Sequence, residues 1–215
     1  HCITNYVTAN DCANLLLACG GSAIMADEME EAEEVTSLCG GLVLNLGTPN
    51  PRKVEAMLRA GREANRMGRP VVFDPVGVGC SAFRREASSR ILEQVQLSVI
   101  RGNASEIATL TGGETGRCGV DADASAASAE ESARLLAKKT GAVVVASGAT
   151  DLVTDGEALY CVNNGHPMMR AVTGTGCQLS ALTGAYVAAN PQNLLRAALA
   201  ATCTMGLCGE IAQGR

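Results

Sequence analysis

Gly-Leu-Val-Leu-Asn-Leu-Gly at residues 41–47 is a continuous apolar run of strand length with a glycine at each end. A strand that is covered on both faces has such an unbroken run, whereas a strand with one solvated face alternates apolar and polar residues. Runs of the same kind follow at residues 70–74 and 142–146. Together these runs predict strands of a largely parallel sheet with helices on both of its faces.

Helical patterns separate the strands, and this alternation is typical of an α/β fold. We expect helices at residues 11–18, 51–67, 84–96, 105–111, 128–140, 176–189 and 193–213, and in the acidic stretch 27–34. Shorter strands are expected at residues 23–26, 97–101, 151–154 and 158–162, and a surface loop at residues 117–127. The predicted fold class is α/β, a three-layer α/β/α domain with a central, mostly parallel sheet.

Composition excludes several classes of protein. The 215 residues are 47% hydrophobic and 18% charged, which is too apolar for a disordered chain. A net charge of −5, with three Tyr, two Phe and no Trp, argues against a nucleic-acid surface. No uninterrupted apolar run approaches the roughly 18 residues of a membrane helix. We therefore expect neither nucleic acid nor a membrane as a partner.

The ten cysteines are scattered through apolar segments and include no C-x-x-C pair, and only two histidines are present. This pattern favours reduced thiols in a cytoplasmic protein over a disulfide framework or a zinc site. The chain begins at His1 without a methionine and ends at Arg215 after an apolar helical pattern. We therefore expect a single domain over residues 1–215 that is truncated at both ends.

Polar residues and glycines follow each of the main predicted strands. They are residues 45–48, 74–77, 101–103 and 147–148. Ligands of open parallel sheets bind beyond the carboxyl ends of the strands. Each segment alone also fits a plain turn, but the repetition favours a polar, glycine-lined crevice at one edge of the sheet.

The turn Val172-Thr-Gly-Thr-Gly-Cys177 leads into a predicted helix. A glycine-rich turn at a helix N-terminus presents free backbone N–H groups and the positive end of the helix dipole, so it predicts an anion site. It lacks the Gly-Lys-Ser/Thr ending of a Walker A loop. Cys177 lies in the first turn, where the dipole is expected to lower its pKa. It is either a polarisable group near a transferring phosphate or a small packing residue.

Asp74 and Glu106 are the carboxylates best placed for Mg²⁺, which proteins hold through one or two carboxylates together with water and phosphate oxygens. For Glu106 an acid that stabilises the first turn of a helix is an equal alternative. The acidic residues of 27–34 predict a solvated helix face.

Several motifs then carry a family resemblance. In order they are His1-Cys-Ile-Thr-Asn5, Gly21-Ser-Ala-Ile-Met-Ala26, Asn45-Leu-Gly-Thr48, Asp74-Pro-Val-Gly-Val-Gly79, Ile100-Arg-Gly-Asn-Ala-Ser-Glu106, Gly119-Val-Asp121, Asn164-Gly-His166 and Val172-Thr-Gly-Thr-Gly-Cys177. Together they resemble the hydroxyethylthiazole kinase family, ribokinase-like enzymes of thiamine salvage. The resemblance runs over nearly the whole chain. It implies phosphorylation of the hydroxyl of 4-methyl-5-(2-hydroxyethyl)thiazole by ATP with Mg²⁺, in a homotrimer with active sites at subunit contacts.

The resemblance also implies a role for each matching residue. Asn5, Met25 and Gly174 would bind the thiazole alcohol, and Cys177 would be the catalytic residue. Asp74 and Glu106 would organise Mg²⁺. The expected ATP-binding residues are Arg101, Ser147 (where threonine is common), Thr175 and Gly176. Most ribokinase-like enzymes have an aspartate base where this chain has Cys177.

Three other functions remain open on the sequence alone. Another ribokinase-like kinase of a vitamin or pyrimidine alcohol, or a ribokinase-fold lyase, would be expected to have aspartate at position 177. A non-catalytic protein that binds thiazole or nucleotide would be expected to lack the two carboxylates, yet Asp74 and Glu106 are both present.

Overall fold

The computed structural model describes residues 1–112 and 126–215. Its strands form one sheet in which the order of the strands is their order in the chain. They are β1 Cys2–Ile3, β2 Leu42–Asn45, β3 Val71–Asp74, β4 Val99–Asn103, β5 Val143–Ser147, β6 Asp151–Thr154 and β7 Leu159–Val162. Strands β1 to β5 are parallel, and β6 and β7 extend the sheet as an antiparallel hairpin.

The helices alternate with the parallel strands and then close the chain. They are α1 Ala9–Ala18, α2 Ala32–Ser37, α3 Pro51–Arg66, α4 Ala82–Gln94, α5 Ala104–Leu110, α6 Ala126–Thr140, α7 Thr175–Ala189 and α8 Leu194–Gln213, with short 3₁₀ turns at Val78–Cys80 and Pro167–Ala171. Local sequence fixes where α3 begins. Pro51 occupies its first turn and the Asn50 side chain accepts a 2.9 Å hydrogen bond from the Lys53 backbone N–H.

Alternation along the central strands divides the core into two layers. Leu44, Phe73 and Ile100 are fully buried against helices α2 to α6. The intervening residues, such as Val43 and Val72, pack against α1, α7 and α8 on the opposite face. Because side chains alternate across a strand, both faces need apolar residues, as the unbroken apolar runs predicted. The predicted three-layer α/β/α class with a mostly parallel sheet is confirmed.

Two local predictions are wrong. Residues 23–26 are not a strand. Strand β1 lies at the edge of the sheet instead, and the Ile24 carbonyl accepts a 2.9 Å hydrogen bond from the Cys2 backbone N–H. The acidic stretch 27–34 becomes helical only at Ala32. Glu28 and Glu30 precede this helix and pair instead with Arg52 at the start of α3, where the distance from Glu30 to Arg52 is 2.6 Å.

Of the predicted loop at 117–127, residues 117–125 lie outside the described part of the chain, and α6 begins at Ala126. Among the described residues one helix, α8, is long and apolar enough to cross a membrane by length and composition alone, with a mean hydropathy of 1.3. A core helix of a soluble protein passes the same test. In this fold α8 packs on α7 and on strands β5 and β6.

Candidate active site

The polar residues at the carboxyl ends of the parallel strands share one face of the sheet. Asn45 lies beside Asp74 in the register of β2 and β3. Arg101 and Ser147 follow on β4 and β5, each two residues beyond a valine that packs against the α7 face. Side chains two apart on a strand point the same way, so all of these polar groups face the layer that contains α7. The structure thus brings together the segments that the sequence singled out.

Asp74 is the centre of this group and is completely buried. Its Oδ2 accepts hydrogen bonds from Asn45 Nδ2 at 2.9 Å and from the Ser180 hydroxyl at 2.6 Å. Its other oxygen, Oδ1, is buried without a hydrogen-bond partner among the described residues. Burial raises the pKa of Asp74 to about 6, against the lowering effect of the Arg101 charge, and Glu106 adds a smaller upward effect.

Arg101 lies between this carboxylate and the N-terminus of α7. Its Nη1 is 3.6 Å from Asp74 Oδ2, and its Nη2 donates a 2.6 Å hydrogen bond to the Ser147 hydroxyl. A Cβ at Gly176 would lie 2.5 Å from Nη1 of Arg101, so a side chain at this position would force the guanidinium to shift. Three of the four predicted ATP-binding residues, Arg101, Ser147 and Gly176, are therefore in one place.

The fourth, Thr175, is the first residue of α7, but its hydroxyl is turned away and donates to the Met169 carbonyl at 3.4 Å. Before it, Gly174 has φ +86°, and a Cβ at that position would overlap the methyl group of Thr8. A side chain at position 174 would thus meet both an unfavourable backbone conformation and a neighbour. This turn needs glycine for its shape.

Cys177 faces the amino-terminal segment of the chain. Asn5 Nδ2 donates one hydrogen bond to Cys177 Sγ and another to Asn45 Oδ1, each at 3.1 Å. Burial, and to a smaller extent the charge of Asp74, raise the pKa of the Cys177 thiol. Hydrogen bonds with neighbours such as Asn5 lower this pKa by less. The predicted lowering of this pKa is therefore wrong, because burial of the thiol outweighs its place at a helix N-terminus.

Glu106 closes the first turn of α5. Its Oε1 accepts from the Gly77 backbone N–H and its Oε2 from the Asn103 backbone N–H, both at 2.8 Å. The Asn103 side chain caps the helix in return, which completes a capping box. Both carboxylate oxygens of Glu106 are thus engaged by backbone groups, as the first-turn alternative predicted.

Met25 belongs to the same apolar region as Cys177. It is half-buried and packs, like Cys177, against the apolar cluster between the sheet and α1 and α7. Its two neighbours are fixed by their carbonyls. That of Ile24 binds the Cys2 backbone N–H, and that of Ala26 lies 2.7 Å from Nε2 of His1.

Comparison with known proteins connects this site to a family. The model of the hydroxyethylthiazole kinase family matches residues 1–215, which is the whole chain. The chain belongs to the hydroxyethylthiazole kinase family. It is therefore a kinase by family.

Relatives support this membership. The hydroxyethylthiazole kinase of Clostridium acetobutylicum is 50% identical over 222 residues, which cover 100% of this chain and 81% of the relative. That of Desulfovibrio desulfuricans is 49% identical over 99% of this chain and 77% of its own length. The solved structure of hydroxyethylthiazole kinase from Pyrococcus horikoshii OT3 is 40% identical, with a TM-score of 0.82 over 93% of this chain and 75% of that chain.

More distant structures show the fold alone. A ribokinase-like superfamily protein from Enterococcus faecalis V583 is 12% identical, with a TM-score of 0.66 over 99% of this chain and 78% of that chain. The strands, the helices and these neighbours agree on the ribokinase-like arrangement that the motifs predicted.

Two further residues of this candidate site were not predicted from the sequence. Ser180 hydrogen-bonds Asp74, and Thr8 donates from its hydroxyl to Asn5 Oδ1 at 3.1 Å. A weak signal existed for Ser180, since it is a hydroxyl residue one turn into an apolar helix. Thr8 has no such signal, because a threonine before a helix is an ordinary N-cap residue.

Proposed function

We propose that the protein transfers the γ-phosphoryl group of ATP to the hydroxyl of 4-methyl-5-(2-hydroxyethyl)thiazole, as a step of thiamine biosynthesis or salvage. The observation that carries this proposal is the position of the turn at residues 174–177. Arg101 lies beside Gly176, Asn5 contacts Cys177, and Asp74 accepts a hydrogen bond from Ser180 of the same helix. Family membership supports a thiazole alcohol as the acceptor.

The α7 N-terminus supplies a place for the transferring phosphate. Its first backbone N–H groups have no partner within the helix, and the helix dipole favours a negative charge there. Arg101 adds a fixed positive charge beside Gly176. Phosphoryl transfer through a loose transition state depends mainly on positioning and on stabilisation of charge, and these groups would provide both.

Cys177 fits a positioning role better than that of a strong base. Its pKa is raised by burial, so the thiol is neutral at pH 7. We infer that Cys177 and Asn5 direct the acceptor hydroxyl towards the phosphate. Met25 and Asn5 would bind the thiazole, and Gly174 would let the backbone approach it.

The residues present fit Mg²⁺ that arrives with ATP. Among the described residues, no three His, Cys, Asp or Glu side chains cluster as a metal site. Mg²⁺ is usually held by one or two carboxylates and by the phosphates of the substrate, so a single buried acceptor is enough. Asp74 Oδ1 is such an acceptor, and Glu106 would support it. When bound, Mg²⁺ would neutralise charge on the phosphate oxygens.

We further propose a homotrimer of single-domain subunits in the cytoplasm. Exposed apolar side chains beside the acceptor residues support an interface there, since Tyr6, Val7 and Leu17 are each more than 60% exposed. Light scattering would test this assembly. A monomer that turns over the thiazole alcohol at the full rate would contradict it.

An acceptor screen tests the function. ADP release is measured with Mg²⁺ and ATP and either the thiazole alcohol, a pyrimidine alcohol or pyridoxal. We expect the highest kcat/KM with the thiazole alcohol. A higher value for another alcohol would favour a different ribokinase-like kinase. Binding of the thiazole alcohol without any ADP release would favour a non-catalytic binding protein.

A further inference from the structure

Lys53 is a buried lysine outside the candidate active site. It lies in the first turn of α3 with its side chain 1% exposed. Its Nζ donates a 2.7 Å hydrogen bond to the Thr4 carbonyl and lies 3.0 Å from Asp27 Oδ2. The Tyr6 ring covers the ammonium group, with its centroid 3.9 Å from Nζ. A buried ammonium is costly unless it is paired, so these three partners account for its place in the fold.

The partners of Lys53 belong to two separate segments of chain. Thr4 and Tyr6 flank Asn5, which contacts Cys177. Asp27 ends the segment 24–27, which contains Met25. The interaction with Asp27 also raises the pKa of Tyr6, which shows that the two segments lie close together here.

The two segments, residues 4–6 and 24–27, also have contacts that do not involve Lys53. His1 and Cys2 fix the carbonyls on either side of Met25 from the β1 side. The Asn5 side chain is fixed by Thr8 and Asn45. On the side that faces α3, the hydrogen bond and the ion pair of the Lys53 ammonium span the gap between the two segments.

We propose that Lys53 is a positioning residue of the acceptor pocket, which binds the Thr4 carbonyl and the Asp27 carboxylate at once and thereby sets the separation of Asn5 and Met25. This inference rests on the proposed function, since it assigns these two side chains to the thiazole alcohol. Lys53 acts through them, because its own ammonium is held by Thr4, Asp27 and the Tyr6 ring.

The chain offers a matched control at the next position. Arg52 lies in the same turn of α3 and pairs with Glu28 and Glu30. Its side chain is 60% exposed, as is that of Glu30, whereas the Lys53 ammonium is buried. Exposed ion pairs contribute little, so loss of Arg52 should leave the pocket unchanged.

The test compares Lys53→Met with Arg52→Met. Methionine keeps the length of the side chain and removes its charge. Small displacements of positioning groups are costly, so we expect the KM for the thiazole alcohol to rise about tenfold or more in Lys53→Met. The KM for ATP and kcat should change by less than about twofold, as should every constant of Arg52→Met. Calorimetric titration of the thiazole alcohol without ATP should show the same weakening of binding.

Four results would overturn the inference. These are an unchanged acceptor KM, an equal rise in Arg52→Met, a rise in both KM values together, or a fall in unfolding temperature with unaltered acceptor binding. Asp27→Asn provides a second variant if Lys53→Met fails to fold, because asparagine removes the charge of the pair but keeps the size of the side chain and one oxygen that can accept from the Lys53 ammonium. It should raise the acceptor KM in the same way. If the wild type phosphorylates another alcohol instead, the proposed function is wrong. The acceptor KM of Lys53→Met and of Arg52→Met is then measured with that alcohol, and it still decides the role of Lys53.

Discussion

The hydroxyl of Ser180 donates a 2.6 Å hydrogen bond to Oδ2 of Asp74, 106 residues earlier in the chain. This contact joins α7 to the end of β3. It engages one carboxylate oxygen, and the other, Oδ1, has no hydrogen-bond partner among the described residues. The helix whose N-terminus is proposed to bind the phosphate therefore also orients the carboxylate that is proposed to hold Mg²⁺.

Asp74 should make the stability of the free protein depend on pH. Its folded pKa of about 6 exceeds the value of about 3.9 expected in the unfolded chain. The folded state therefore binds the proton more tightly, and the free energy of unfolding falls as pH rises from about 4 to about 6. Asp74→Asn lacks this titration, so its stability relative to the wild type should increase over that range. Urea unfolding at several pH values measures the free energy of unfolding of both proteins. If the two values change with pH in parallel, the raised pKa of Asp74 is contradicted.

The glycine turn should matter more than the thiol. Cys177→Ser should retain measurable activity, whereas Gly174→Val should abolish it, because valine would meet Thr8 and an unfavourable φ. Each preorganised donor lost costs roughly 10²–10³ in rate. Steady-state kinetics across pH make the comparison. If both variants lose activity equally, and the pH–rate profile of the wild type has a limb near the thiol pKa, Cys177 is the base instead.

Gly20 provides the control for this comparison. Its φ of +83° resembles that of Gly174, but a Cβ there would meet nothing within 4 Å. Gly20→Val should therefore lower stability through backbone strain alone and leave kcat/KM unchanged.

Loss of the Arg101 charge should weaken ATP binding and shift the pH dependence of activity. Arg101 lowers the pKa of Asp74, so Arg101→Gln should raise that pKa further. If ionised Asp74 is required, the acidic limb of the rate profile should move to higher pH. The KM for ATP should rise, with little change in the KM for the thiazole alcohol. An unmoved limb would contradict the coupling between Arg101 and Asp74.

Glu106 should contribute mainly to stability. Its two 2.8 Å hydrogen bonds from backbone N–H groups would be lost in Glu106→Ala, and each part-buried group left unsatisfied costs at most about 1–3 kcal/mol. Glu106→Gln retains one acceptor oxygen and should lose less. Urea unfolding of both variants checks this order. A normal stability with a raised Mg²⁺ requirement would indicate a direct metal role instead.

The layers and the edge of the sheet could be predicted because their signals are local. The apolar runs at 41–47 and 70–74 indicate strands buried on both faces, and polar residues directly after them indicate the ligand edge. Strand β1 has only two residues, too few for any periodicity. The contacts of Ser180 and Lys53 could not be predicted, since they depend on how α7 and α3 pack. The predicted lowering of the Cys177 pKa was wrong for the same reason. The position of Cys177 in its helix can be read from the sequence, whereas its burial depends on how the helices pack.

Identification of the phosphorylated product tests the central claim most directly. The protein is incubated with ATP, Mg²⁺ and 4-methyl-5-(2-hydroxyethyl)thiazole, and the reaction is followed by ³¹P NMR. The account predicts a new phosphate-monoester signal on the thiazole alcohol that grows in step with ADP. Inorganic phosphate in place of the monoester, or a monoester formed only when a pyrimidine alcohol replaces the thiazole, would contradict it.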